Sequence, residues 1–90
     1  MILKKTGAKD GYTVLSDENG DSGLFDFIEM TVLDSTEYDA FYDVDTGDLL
    51  ILELNEENIA DECYNTIDDD DIFEKVCEKF AEEFPEEFDF

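Results

Sequence analysis

Residues Glu37 to Leu54 read EYDAFYDVDTGDLLILEL, and the two halves of this stretch decide the fold. In the first half Tyr38, Ala40, Tyr42 and Val44 alternate with Glu37, Asp39, Asp43 and Asp45, the period of two expected of a strand with one apolar and one polar face. Phe41 interrupts the acidic face. Thr46-Gly47-Asp48 then supplies a turn, and Leu49 to Leu54 is an apolar run broken only by Glu53, as befits a central strand covered on both sides. A hairpin with its core in the second strand is the expectation.

Working outward, Tyr12 to Leu15 is a β-prone run that ends in the turn formers Asp17 to Gly23, with Asn19-Gly20 as a hairpin signal. Between Leu24 and Leu33 the apolar phase changes. Phe25 and Phe27 share one parity, while Ile28, Met30 and Val32 share the other, which predicts a bulge near Phe27-Ile28 or a strand covered on both faces. Asp34-Ser35-Thr36 is the next turn. On the other side, Asn55 to Glu62 is acidic and amide-rich, and Cys63 to Ile67 reads as a short edge strand or an extended connector. Ile72, Phe73, Val76, Cys77, Phe80, Ala81 and Phe84 recur at helical spacing. Asp71, with Glu74 three residues later, resembles a capping box, and Pro85 ends the helix near Phe84.

These readings combine into one acidic α+β domain over residues 1–90: a loose N-terminal end at 1–11, an antiparallel meander of three to four strands at 12–67, a helix at 71–84 packed on one face, and a tail at 85–90. No segment has the apolar length of a membrane span, and the lysine-bearing start lacks the apolar run of a secretion signal, so a cytoplasmic location is expected. Cys63 and Cys77, without any histidine, fall short of a zinc site, and two thiols filling space are expected.

The chemistry is narrowed by what is missing. The chain has no histidine, so it lacks an imidazole base or ligand, and none of its glycines sits in a phosphate-loop pattern. Calcium loops fail on inspection. Counting from Asp17, Ser22 stands where glycine is needed and Ile28 where a bidentate glutamate belongs; counting from Asp43, Gly47 is one place early and Leu54 is last. Paired carboxylates doing glycosidase-type chemistry are a remote alternative among so many acids. No catalytic residue, cofactor or metal is expected.

What needs explaining is charge. Net charge is -23, and Asp10 to Glu74 holds 22 acids with no lysine, arginine or histidine. Two carboxylates about 7 Å apart repel by roughly 2 kcal/mol at an effective dielectric of 20, whereas a small domain has only about 5 to 13 kcal/mol of total stability. Solubility needs a net charge of about 2 to 8 in magnitude. The excess points to a basic protein surface, such as the Lys- and Arg-rich groove of a nucleic-acid-binding protein, which ordered carboxylates occupy in place of DNA or RNA. The chain itself would contact neither nucleic acid nor membrane. The expected partner-binding residues are Glu37, Asp39, Asp43, Asp45 and Asp48 of the hairpin, Asp68, Asp69 and Asp70 before the helix, and Phe41 as a central anchor. Phe41 has a second reading, as cover for a sheet face beneath the helix.

The turn at Asp17-Glu18-Asn19-Gly20, the Phe25-Asp26-Phe27-Ile28 strand, Tyr38, the Leu49 to Leu54 strand and the closing Ile72-Phe73-Glu74-Lys75-Val76 helix together resemble the YrzB-like family of small acidic bacterial proteins of unknown function. That resemblance implies a cytoplasmic, β-rich domain with a C-terminal helix and carries over no functional residue. In size and charge the chain also resembles phage-encoded nucleic-acid mimics of the anti-restriction and anti-CRISPR type. The expected function is therefore a non-enzymatic inhibitor of a nuclease or other nucleic-acid-binding protein. The alternatives are an acidic domain engaged in protein-protein interaction and a salt-adapted domain.

Overall fold

The computed structural model describes residues 2–55 and 63–88. Six strands, β1 (Ile2–Lys9), β2 (Tyr12–Ser16), β3 (Ser22–Leu33), β4 (Thr36–Asp43), β5 (Leu49–Leu54) and β6 (Cys63–Thr66), precede a helix, α1 (Asp70–Glu83). Each strand pairs antiparallel with the next, and β6 returns to pair with β1, closing a barrel. The expectation of an open meander of three to four strands is thereby corrected.

Two segments account for the difference. Residues 1–11, expected to be loose, form β1 over Ile2–Lys9, and only Leu3 of that strand is buried. Its lysines face solvent and Ile2 is exposed as well, so a single buried apolar residue, Leu3, is all that this wall contributes to the interior. Cys63 to Thr66 lies between β1 and β5, with Leu3 opposite Tyr64 and Leu54 opposite Tyr64 on the other side, and is no edge strand. Closure removes the unpaired edges that an open sheet would present to other chains.

Local rules explain the connections. Asp34 and Ser35 both have positive φ, 52° and 68°, and join β3 to β4 through a two-residue turn whose twist matches that of its strands. Thr36, expected within this turn, is already the first residue of β4. The expected bulge is present: the register of β3 against β4 slips between Phe27 and Glu29, with Ile28 as the extra residue. The slip keeps Phe25, Phe27, Met30 and Val32 on one face, opposite Asp43, Phe41, Asp39 and Glu37.

The apolar residues divide into two cores that share β4 and β5 as a common wall. Inside the barrel Leu3, Leu15, Phe41, Leu52 and Tyr64 pack with Phe25, Leu50 and Leu54. On the outer face of that wall Tyr38, Ala40 and Ile51 pack against Val76 and Phe80 of α1 and against Phe88. The unbroken run Leu49 to Leu54 thus serves both cores alternately, as the sequence predicts. Each fully buried large side chain contributes about 1.5 to 3 kcal/mol relative to exposure.

The helix begins at Asp70, one residue before the expected start at 71, and its cap lies two residues before the expected Asp71. Its N-cap is Asp69, whose side chain accepts hydrogen bonds from the amides of Asp71 and Ile72 at 2.9 and 3.2 Å, so the Asp71–Glu74 capping box does not form. Phe84 closes the helix just before Pro85. The following residues pack back, with the Phe88 ring 4.9 Å from that of Phe80.

Candidate functional site

In a meander every second turn falls at the same end, so the β2–β3 and β4–β5 turns meet. Each turn is built on one aspartate. Oδ1 of Asp17 accepts the amides of Asn19 and Asp21 at 2.9 and 3.0 Å, and Oδ1 of Asp43 accepts those of Asp45 and Thr46 at 2.9 and 3.3 Å. Backbone bonds close both loops: Asp17 N–H donates to the Asp21 carbonyl, and Gly47 N–H donates to that of Asp43 at 2.7 Å, with Gly47 at a φ of 78° that glycine adopts readily. Val44 N–H reaches the Leu24 carbonyl at 3.0 Å and ties the second loop to β3.

With Asp17 and Asp43 committed to their own loops, Glu18, Asp21, Asp45 and Asp48 project into solvent without a side-chain hydrogen bond among the described residues. None of the six is ion-paired there; the Lys79–Glu83 pair, at 3.3 Å, lies on α1. Between the loops is a shallow depression of about 300 Å³ that reaches down to Leu3, Leu15 and Phe25 and carries Asp17, Asp21, Asp43 and Asp45 on its walls. This end of the barrel is a rigid, uncompensated array of carboxylates around a small apolar floor.

The residues singled out from sequence do not form one surface. Asp43, Asp45 and Asp48 belong to the acidic end just described. Glu37 stands at the start of β4, opposite Val32 and beside the β3–β4 turn, at the other end of the strand. Asp39 and Phe41 point into the barrel and are 4% and 2% exposed, so neither side chain is presented to a partner. Of the alternating acids, expected to face outward, only Asp39 is enclosed in the barrel, because α1 packs on the opposite, apolar parity of β4; Glu37 and Asp43 are half-buried and Asp45 is exposed. Phe41 covers no face beneath the helix either; it belongs to the barrel core. Asp68 and Asp70 are exposed after β6, and Asp69 is engaged as the helix cap.

The sequence reading passed over Asp17, Glu18 and Asp21 as turn residues. Turn parity was the available signal, since counting hairpins places 17–21 and 43–48 at one end whether or not the sheet closes.

Elsewhere, α1 is charged asymmetrically. Asp70, Glu74 and Glu78 line a groove of about 640 Å³ with Phe73, Cys77 and Ala81, and Lys75 and Lys79 lie outside it. Both cysteines are thiols. Burial first, and then Glu74, push the Cys77 thiol above its ordinary pKa, away from the thiolate that reactivity requires. Among the described residues no group of three or more His, Cys, Asp or Glu is arranged to hold a metal ion, and no helix is long and apolar enough to cross a membrane. Comparison of the chain with protein-family models, with curated proteins and with solved structures returns no match.

Proposed function

We propose that this protein is a non-enzymatic acidic binding protein whose β2–β3 and β4–β5 turns dock into a basic groove of a nucleic-acid-binding protein or nuclease and exclude its nucleic acid. One observation carries the reading: Glu18, Asp21, Asp45 and Asp48 are held on loops already fixed by Asp17 and Asp43, with no cation paired to them among the described residues. Loops whose backbones are already fixed lose little further backbone freedom on binding, which is part of the usual cost of an interface built on loops. Their mutual repulsion is relieved when lysines or arginines arrive.

Two turns supply what a single acidic strand cannot. Side chains on one strand face repeat about every 7 Å, whereas a duplex shows a phosphate about every 1.7 Å of axis. Two adjacent loops bring Asp17, Asp21, Asp43 and Asp45 around one depression, and Asp68 and Asp70 are further exposed acids. Membership of the YrzB-like group and a cytoplasmic location belong to the same proposal and assign no residue.

The test is competition. With a basic nucleic-acid-binding partner in hand, binding should be displaced by duplex DNA or RNA, and affinity should fall by an order of magnitude or more between about 50 and 200 mM salt. Binding that neither competes with nucleic acid nor weakens with salt contradicts the mimic reading and leaves plain protein-protein interaction in its place.

A further inference from the structure

The interior of the barrel holds one ionisable group that its surroundings do not accommodate as an anion. Asp39 is 4% exposed. Its Oδ2 accepts a hydrogen bond from the Tyr64 hydroxyl at 2.9 Å, a link that runs from β4 across β5 to the closing strand β6. Its Oδ1, fully buried, has no donor. A second carboxyl, that of Glu37, two residues earlier on the same face of β4, is close enough to act on the Asp39 carboxyl through a side-chain hydrogen bond. The strands packed against Asp39 offer it no cation among the described residues: β3 places Met30 opposite it, β5 places Leu52, and β6 brings the Tyr64 phenol, with the neutral Thr66 beyond Leu52. Among the described residues no lysine acts on it.

We infer that Asp39 is protonated inside the folded barrel and shares that proton with Glu37, making the β4–β6 link across the interior a pH-sensitive joint of the barrel. Two carboxyl groups in contact, both acceptors when ionised, form a hydrogen bond only if one of them carries a proton. With the proton on Asp39 Oδ1, the buried oxygen becomes a donor to Glu37, while Oδ2 still accepts from Tyr64, and both oxygens are satisfied. Loss of the proton leaves a buried anion beside a second carboxylate, with one oxygen unpartnered. Burial foremost, and then the Glu37 carboxyl, push the Asp39 carboxyl up to about 7, against the opposing pull of the Tyr64 bond. The joint therefore loosens as pH rises through neutrality. Closure of the barrel rests on β6, a strand of four residues, so the effect falls on the shortest element of the wall.

Carbon-13 NMR titration of the side-chain carboxyls in the intact protein tests this directly. The expected result is one aspartate carboxyl titrating near pH 7, well above the ordinary 3.8. That resonance should be missing from Asp39→Asn, and in Glu37→Gln it should titrate at lower pH. In the wild type the thermal midpoint should fall as pH rises from about 4 to 8, and in Asp39→Asn that part of the fall should be lost. Should Asp39→Asn not fold, the wild-type titration and Glu37→Gln decide the matter alone. An Asp39 carboxyl that titrates near the ordinary 3.8, or one indifferent to Glu37→Gln, overturns the inference.

Discussion

Phe41 makes edge contacts with three rings, those of Phe25, Phe27 and Tyr64, at centroid distances of 6.5, 5.6 and 5.5 Å. It joins β3, β4 and β6 through the barrel, and its truncation removes both transfer energy and edge-to-face contacts. Phe41→Ala should lower stability by about 3 to 5 kcal/mol, read as a lower urea midpoint at an unchanged slope. A Phe41→Ala protein of wild-type stability but weakened binding would return the residue to an interface role. Asp39 provides the second prediction at this scale. Its folded pKa of about 7 lies above the ordinary 3.8, so the folded state binds the proton more tightly. The sign follows: this group's contribution is full below about pH 4, declines as pH rises towards 7, and is absent above about 8. Asp39→Asn keeps an acceptor for Tyr64 and should be more stable than the wild type by about 1 to 2 kcal/mol at pH 8, with the advantage gone at pH 5. Denaturant titrations at the two pH values measure it.

Turns and caps are where local chemistry decides most. Ser35, at a φ of 68°, sits in the left-handed region without the freedom of glycine. Ser35→Gly relieves that cost and should stabilise the protein by about 0.5 to 1 kcal/mol, seen as a rise of a few degrees in thermal midpoint. The helix start separates two readings of one acidic run. With Asp69 as the cap, Asp69→Ala should cost about 1 kcal/mol, and Asp71→Ala only a few tenths; the reverse order, in parallel urea titrations, would restore the capping box at Asp71 and Glu74. Elements with a strong internal period were legible in the sequence: β4, the two-sided β5, the bulge in β3 and the body of α1. β1 and β6 were not, because neither carries its own evidence. Three of the eight residues of β1 are lysines with only Leu3 buried, and β6 is four residues long, so both are strands by virtue of the partners that closure brings. The site was read only in part for a related reason. Alternation shows that Asp39 and Tyr38 face opposite ways, but that both faces are buried follows only from barrel closure on one side and α1 on the other.

At the scale of the molecule, closure reallocates the charge. Asp39 on the inner face of β4 is withdrawn from the surface, and Glu18, Asp21, Asp45 and Asp48 stand exposed on hydrogen-bonded turns at one end of the barrel. The central claim is that binding resides at this end and does not follow from net charge alone. It is tested by comparing two variants that lose the same four charges. One carries Glu18→Gln, Asp21→Asn, Asp45→Asn and Asp48→Asn, sparing the loop-building Asp17 and Asp43. The other carries Glu74→Gln, Glu78→Gln, Glu82→Gln and Glu86→Gln, all exposed on or beyond α1. Affinity for a basic nucleic-acid-binding partner is measured by calorimetry at low salt with each. The account expects the turn variant to lose tenfold or more, about 1.4 kcal/mol or greater, and the helix variant to lose much less. Equal losses in the two variants, or a larger loss in the helix variant, would contradict it.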